Sequence, residues 1–234
     1  MAINLPKARM NLFRISWLND VKRLSNAYGR KTHIAFDIGA NIGITAIEML
    51  EHFDSVYAFE CHPSSFKALE QNLIGTRGHA FEVALSNAPG LKTLNDYGGK
   101  RHTNSLTSNA RYAVRFNQKV AELQVTTNTI DRFSMDNSIS TIDLLKIDTE
   151  GHDFSVIKGA ERMFASNSVA FVYFEFNDFN QESGSSGGSL NEITDYLSKF
   201  GFQFVATYTD YILTDQKMFV VANALLFNPN ASLN

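Results

Sequence analysis

The chain has 234 residues, of which 44% are hydrophobic and 19% are charged, and its net charge is −3. This composition supports a sizeable core and excludes a disordered chain, and the small negative charge gives no reason to expect a nucleic-acid partner. Residues 1–31 hold seven Lys or Arg and one acid, a charge of +6, so that residues 32–234 carry −9. We predict a basic helical arm over 1–31 and one domain over 32–234.

The arm has an amphipathic pattern between residues 11 and 28. Five apolar side chains fall on one helical face: Phe13, Trp17, Val21, Leu24 and Tyr28. The pattern predicts a helix that lies across one end of a sheet or covers a ligand pocket. The basic arm could dock on the domain, stay solvated, meet an anionic substrate or contact a membrane surface.

Cysteine content and hydropathy indicate the compartment. The single cysteine, Cys61, excludes an internal disulfide and fits a reducing environment. The sequence shows no signal-peptide apolar segment and no apolar run as long as a membrane span. We therefore predict a cytoplasmic protein without a membrane span, of unknown oligomeric state.

The most informative stretch lies between residues 33 and 60. A short apolar run, 34–38, predicts a buried strand, and the glycine turn after it leads into a helical pattern over 44–53. A second apolar strand, 55–59, ends on Glu60. Strand, glycine turn, helix, strand and acid together predict the first half of a nucleotide-binding α/β fold.

The turn itself favours one class of nucleotide. Its pattern, Asp37-x-Gly39-x-Asn41-x-Gly43, lacks the third glycine of a dinucleotide site and the lysine of a P-loop. An aspartate here suits a ligand with an ammonium group, and Glu60 can accept hydrogen bonds from both hydroxyls of a ribose. These features predict S-adenosylmethionine, although similar turns occur in α/β proteins that bind nothing there.

The predicted contacts with this cofactor include the end of a third strand, 80–85, which we expect beside the adenine. The predicted cofactor-binding residues are Asp37, Gly39, Ala40, Asn41, Gly43, Glu60, Cys61, Ala84, Leu85 and Asp148.

A polar insertion follows over residues 88–128. Short strands are predicted at 91–94 and 122–127, with basic side chains between them: Lys100, Arg101, Arg111, Arg115 and Lys119. A long insertion at the cofactor end of a sheet commonly contacts substrate, and Arg101 and His102 are weak candidates for that contact. A surface loop without a role is the alternative.

The remaining pattern alternates between strands and helices. We predict one helical turn over 129–135, strands over 141–147 and 169–176, and a single helix over 153–164 between those strands. After a Gly/Ser-rich segment, 181–189, come a helix over 190–200 and two closing strands, 203–208 and 218–227. The closing pair predicts an antiparallel hairpin at the edge of the sheet.

Three segments together resemble the FkbM-type family of S-adenosylmethionine-dependent methyltransferases. They are 36–43 (FDIGANIG), 57–60 (YAFE) and, most specifically, 144–151 (LLKIDTEG). The resemblance implies a Rossmann-like, class I methyltransferase domain: a seven-stranded, mostly parallel sheet with helices on both faces. It also implies methyl transfer to a hydroxyl, on a sugar or a natural product. Cys61-His62 and Asp153 depart from the family's usual residues.

Three side chains after the strand 141–147 are catalytic candidates: Asp148, Glu150 and His152. A hydroxyl must lose its proton during methylation, and the ordinary pKa of a histidine suits a general base, so His152 is one candidate; a surface histidine at a helix start is the alternative. Asp148 suits the cofactor's ammonium or a water, and Glu150 suits the amides of its own turn.

Other functions stay open. Asp148, Glu150 and Glu175 at neighbouring strand ends would suit a divalent metal, but no compact ligand motif is present, so a metal is not favoured. A non-catalytic cofactor-binding protein, or a methyltransferase that acts on protein or nucleic acid, is the alternative function. The charge of −9 over 32–234 argues against nucleic acid.

Overall fold

The computed structural model describes residues 11–96, 104–106, 121–176, 188–213 and 218–232. The helices are α1 (Asn11–Ala27), α2 (Ile44–Met49), α3 (Pro63–Leu73), α4 (Ile130–Asp136), α5 (Asp153–Lys158), α6 (Glu161–Ala165) and α7 (Leu190–Ser198). The strands are β1 (Ile34–Ile38), β2 (Ser55–Phe59), β3 (Gly78–Phe81), β4 (Ala84–Leu85), β5 (Gly90–Asp96), β6 (Ala121–Asn128), β7 (Ile142–Ile147), β8 (Val169–Phe176), β9 (Gln203–Leu213) and β10 (Met218–Phe227).

The main sheet has seven strands in the order β3-β2-β1-β7-β8-β10-β9. The pairs from β3 to β8 are parallel, and β10 runs antiparallel to both β8 and β9. The predicted α/β fold with a mostly parallel sheet is therefore confirmed, and so is the closing hairpin. Its second strand, β10, lies between β8 and β9, so β9 forms the edge of the sheet.

A second, smaller sheet contains β4, β6 and β5. The single strand predicted over 80–85 is divided, because the chain turns at Val83, whose amide donates to the Phe81 carbonyl oxygen at 3.0 Å. β3 stays in the main sheet, whereas β4 pairs with β6. The two strands predicted in the insertion become β5 and β6, which pair antiparallel.

Helices cover both faces of the main sheet. One core layer contains apolar side chains of α1, α2 and α3, and the other contains those of α4 to α7. In α1 the Trp17 ring stacks on Tyr173 with 4.2 Å between centroids, and Asp20 accepts a hydrogen bond from the Tyr208 hydroxyl at 2.7 Å. The helix therefore packs on the face of the sheet, and Tyr28, directly after it, packs edge-on against Phe227 with 4.8 Å between ring centroids, although 49% of Tyr28 is exposed.

The helix predicted over 153–164 is interrupted at Gly159. A Cβ on this glycine would lie 2.1 Å from the Ser86 carbonyl oxygen, and the Gly159 carbonyl accepts the Asp131 amide at 2.9 Å. These contacts separate α5 from α6. Within the described ranges, no helix has the length and apolar character needed to cross a membrane.

Candidate active site

The carboxyl ends of β1, β2 and β7 meet around a cleft with an empty volume, including its open mouth, of ≈ 1080 Å³. The Gly39 amide donates to the Phe59 carbonyl at 3.0 Å, and the Asp148 amide donates to the Ile38 carbonyl at 3.0 Å. Gly39 has a φ of +76°, and a Cβ there would lie 1.9 Å from the Asp148 carbonyl oxygen. Glycine is therefore required for the strand ends to approach this closely.

Glu60 places a carboxylate in the wall of the cleft, directly after β2. Its two oxygens accept hydrogen bonds from the backbone amides of Asn41 at 2.9 Å and His62 at 2.8 Å. Burial raises the pKa of Glu60, and these amide bonds act in the opposite direction. Each carboxylate oxygen has a further lone pair, so the group can also accept two hydroxyl donors from a ligand, such as the diol of a ribose.

Most of the predicted cofactor residues line this cleft. They are Gly39, Ala40, Asn41, Glu60, Cys61, Ala84, Leu85 and Asp148. Apolar side chains complete the wall: Ile38, Ile42, Phe59, Val83, Leu94 and Leu106. A carboxylate among apolar walls fits the ribose and the flat adenine of an adenosyl group.

Cys61 contributes an apolar contact to this wall. Burial, followed by the charge of Glu60, raises the pKa of its thiol to about 12. The thiol is therefore protonated near neutral pH and is not a nucleophile there.

Two predicted cofactor residues, Asp37 and Gly43, lie outside the lining of the cleft. Gly43 is the residue before α2, with a φ of +87°, and a Cβ there would lie 2.7 Å from the Leu69 side chain. The Asp37 carboxylate is fully buried, and Lys146 Nζ lies 2.9 Å from its Oδ1. Asp37 lies beside Lys146 because the register of β1 and β7 pairs these two residues across the sheet.

Lys146 connects the buried carboxylate to the cleft. Its Nζ also lies 3.6 Å from Asp148 Oδ2 and donates to the Gly39 carbonyl at 3.4 Å. Burial alone would lower the pKa of Lys146, but the carboxylates of Asp37 and Asp148 raise it above its ordinary value. Asp37 thus acts on the cleft through this lysine, in contrast to the direct ammonium contact that the sequence suggested.

The turn after β7 is held by Asp153. Its carboxylate accepts the amides of Thr149 and Gly151, each at 3.2 Å. Burial and the Asp148 charge raise the pKa of Asp153 to about 7. Glu150 has a φ of +53° and Gly151 a φ of +93°, so the turn is tight. The role in binding turn amides that the sequence suggested for Glu150 is filled by Asp153, the first residue of α5.

Glu175, near the end of β8, lies close to the carboxylates of Asp148, Glu150 and Asp153. Burial and the charges of Asp148, Glu150 and Asp153 raise its pKa well above its ordinary value, and its side chain is hydrogen-bonded to Asp148. A hydrogen bond between two carboxyl groups requires a proton on one of them, and the raised pKa favours Glu175 as the one that carries it. Over the described part of the chain, no three His, Cys, Asp or Glu side chains are grouped so that they could hold a metal ion.

His152 lines the cleft at its acidic end and is only 7% exposed. Its Nε2 lies 2.9 Å from Ser86 Oγ, which also accepts a hydrogen bond from Lys92 Nζ at 3.0 Å. Burial, followed by the Lys92 charge, lowers the pKa of His152 to about 4. The ring is therefore neutral at pH 7.

Ser86 and Lys92 were not among the residues predicted from the sequence. They are distant from His152 in the chain, since Ser86 precedes His152 by 66 positions, so no local pattern connects them. The one available signal for Ser86 is that it directly follows a predicted strand end.

A described part of the insertion lies over the cleft. Ser105 pairs with Asn95 through two backbone hydrogen bonds, of 2.9 and 3.2 Å, and its Oγ donates to the Glu150 carbonyl at 2.7 Å. As a result, Asn104 and Leu106 line the cleft. The two candidate substrate contacts of the insertion, Arg101 and His102, lie outside the described residues, and so do its other basic side chains: Lys100, Arg111, Arg115 and Lys119.

Comparisons with known proteins assign the chain to a family. The family model described as "Methyltransferase FkbM domain" matches residues 37–204. A curated relative, 31-O-demethyl-FK506 methyltransferase FkbM from Streptomyces tacrolimicus, is 29% identical over 203 residues, covering 76% of this chain and 75% of that protein.

A solved structure supports the fold. The N-methyltransferase NodS from Bradyrhizobium japonicum WM9 superposes with a TM-score of 0.51 and 11% identity, covering 94% of this chain and 99% of that one. With the family match over 37–204, these findings show that the chain belongs to the methyltransferase FkbM domain family, with a class I, S-adenosylmethionine-dependent methyltransferase fold.

Proposed function

We propose that the protein transfers a methyl group to a hydroxyl oxygen, on a sugar or a small natural product. The observation that carries this proposal is the position of His152, a neutral histidine that lines the same cleft as Glu60. An oxygen acceptor must lose a proton during the reaction, and a neutral imidazole can accept it. The printed name of the curated relative also identifies an oxygen as the site methylated by that protein.

The residues of the cleft divide into two groups by function. Glu60 would hold the ribose hydroxyls, and the apolar wall with Phe59, Val83 and Leu85 would hold the adenine. Asp148, at the end of β7, would face the amino-acid end of the cofactor, with its charge partly balanced by Lys146. Eight of the ten residues predicted to bind the cofactor line the cleft, which supports this arrangement.

When bound, S-adenosylmethionine would supply a methyl group on a sulfonium; the acceptor oxygen would bond to that carbon, and the electron pair of the broken carbon–sulfur bond would stay on sulfur. His152 takes the hydroxyl proton and becomes an imidazolium, which gives its proton to solvent after the methylated product has left. The protein's further contribution is alignment, because an in-line displacement with an activated donor depends mainly on orientation and on exclusion of water.

The insertion is the part of the protein that we expect to select the acceptor. Asn104 offers an amide and Leu106 an apolar surface, and both reach the cleft because Ser105 is bonded to Asn95 and to the Glu150 carbonyl. A polar and an apolar contact side by side suit a hydroxylated carbon skeleton, as in a glycoside or a polyketide alcohol.

The test is turnover with paired acceptors, measured as formation of S-adenosylhomocysteine. Purified protein is offered hydroxylated compounds and their amino analogues, and the active acceptor is then used with His152→Ala and with His79→Ala as a control, since His79 is exposed on β3. We expect methylation of the alcohols and a loss of kcat of about 10²-fold or more in His152→Ala, the usual contribution of a general base. Methylation of amines alone, or a loss within about threefold, would contradict the proposal.

A further inference from the structure

Ser86 occupies a fixed position between three parts of the protein. It is fully buried, and its amide donates to the Asn128 carbonyl at 2.8 Å. Its own carbonyl packs against Gly159, where a Cβ would lie 2.1 Å away. The backbone of Ser86 therefore cannot shift to suit its side-chain partners, and its Oγ is a fixed point beside the His152 ring.

Three polar atoms surround this hydroxyl: Lys92 Nζ at 3.0 Å, Asn87 Oδ1 at 3.1 Å and His152 Nε2 at 2.9 Å. A hydroxyl donates one hydrogen bond and accepts two. The Lys92 ammonium can only donate, so it uses one acceptor position of Ser86 Oγ. The Asn87 amide oxygen can only accept, so it takes the hydroxyl proton.

The remaining position of the hydroxyl is an acceptor, and His152 Nε2 must fill it as a donor. All three bonds are then satisfied at once when His152 carries its proton on Nε2. In a neutral ring the other nitrogen, Nδ1, then keeps its lone pair. The ring hydrogen bond found at His152 joins Nε2 to Ser86 Oγ, so in this arrangement Nδ1 is the ring nitrogen left to accept a proton.

We propose that Ser86 and Lys92 are positioning residues that hold His152 as the neutral Nε2–H tautomer, with Nδ1 as the general base. This inference rests on the proposed function and adds the groups that prepare the base. Ser86 sets the tautomer through its hydrogen bond. The Lys92 ammonium, joined to the ring through Ser86, opposes a second positive charge on the imidazole.

Other titratable groups lie at this end of the cleft. They are Asp148 and Glu150 after β7, Asp153 on α5, Glu175 on β8 and Lys146 on β7. Burial is the first cause that lowers the pKa of His152 to about 4, and the Lys92 charge is the second. Removal of the Lys92 charge should therefore raise the pKa of His152.

The direct test is long-range ¹H–¹⁵N NMR of the full chain with ¹⁵N-labelled histidine, which reports the tautomer of each ring without any acceptor. The His152 signals are assigned with His152→Gln. We expect an Nε2–H ring that stays neutral down to about pH 4 in the wild type. In Ser86→Ala we expect a mixture of tautomers, and in Lys92→Met a titration midpoint about one pH unit higher, a tenfold change in proton affinity.

Two control variants separate charge from shape. Lys92→Arg keeps the charge and should keep the low titration midpoint, whereas Lys67→Met removes an exposed charge on α3 and should leave His152 unchanged. An Nδ1–H ring in the wild type, or a His152 midpoint that does not move in Lys92→Met, would overturn the inference.

Kinetics with an acceptor distinguishes this inference from the proposed function. A base must be unprotonated, so a higher His152 pKa in Lys92→Met should shift the acid limb of the kcat profile to higher pH, with the acceptor KM unchanged and rescue by Lys92→Arg. An unshifted limb would contradict the positioning role. An Nε2–H ring together with full turnover of His152→Ala would instead contradict the base assigned under the proposed function.

Discussion

The ends of β2 and β7 both carry carboxylates into the cleft, but different groups surround these carboxylates. Glu60, after β2, is one acid whose oxygens accept backbone amides from Asn41 and His62. After β7, Asp148 lies beside Lys146 and is hydrogen-bonded to Glu175, whose pKa is raised. The first environment leaves lone pairs for ligand hydroxyls, whereas the second contains groups that exchange protons. In the proposed function, the β2 end would bind the ribose and the β7 end would carry out the proton chemistry.

The largest expected effect is a loss of stability when Lys146, at the β7 end, is neutralised. Lys146→Met leaves the fully buried Asp37 carboxylate without its partner, and such a loss typically lowers the free energy of unfolding by about 3–5 kcal/mol. Urea denaturation of the purified variant measures it. The exposed Lys67→Met serves as the control and should change stability by less than about 0.5 kcal/mol.

The double variant Asp37→Leu/Lys146→Met sharpens this result. It removes both charges, so most of the lost stability should return, because the cost arises from the unpaired carboxylate. A loss below about 1 kcal/mol in the single variant would show that the pair does not balance the buried charge.

A second prediction concerns the contact between the two strand ends. Gly39→Ala places a Cβ 1.9 Å from the Asp148 carbonyl oxygen, so the ends of β1 and β7 must separate. Gly75→Ala is a matched control, because Gly75 has the same φ of +76° and has open space around it. The control should lose about 1–2 kcal/mol for the left-handed backbone alone. We expect Gly39→Ala to lose about 2 kcal/mol more and to bind S-adenosylmethionine weakly, whereas equal losses would exclude the steric account.

The smallest expected effect is the pH dependence of stability from Glu175. Its pKa is raised in the folded protein, so the folded state holds a proton that the unfolded state has lost above about pH 4.5. Stability from this group is therefore present at low pH and falls as pH rises through the folded pKa. Glu175→Gln imitates the protonated form and should narrow the difference between urea midpoints at pH 5 and pH 8. An unchanged difference would show that Glu175 is ionised.

The fold and the β2 end could be predicted because their signals are local. The strand 34–38, the glycine turn and Glu60 lie within one short stretch, and their roles follow from residue type and spacing. Glu60 and the glycine at position 39 occupy the positions in the cleft that the spacing implied.

The β7 end could be predicted only in part, since its chemistry depends on distant partners. Ser86 and Lys92 reach His152 through the small sheet, and no local pattern indicates that 80–85 is divided between two sheets. One signal was available: a lysine within the buried strand 142–147 requires a buried acid beside it. That rule would have paired Lys146 with Asp37, and would have placed the Asp37 carboxylate outside the lining of the cleft.

The two strand ends are proposed to have different roles, cofactor binding at β2 and proton chemistry at β7. The most direct test is calorimetric titration of S-adenosylmethionine into three proteins: wild type, Glu60→Gln and His152→Ala. We expect micromolar binding by the wild type, about −8 kcal/mol. Loss of the carboxylate in Glu60→Gln should weaken it at least about tenfold, because hydrogen bonds to a charged group contribute about 1.5–3 kcal/mol, and His152→Ala should bind within about threefold of wild type. Full affinity in Glu60→Gln, or a greater loss in His152→Ala than in Glu60→Gln, would contradict the account.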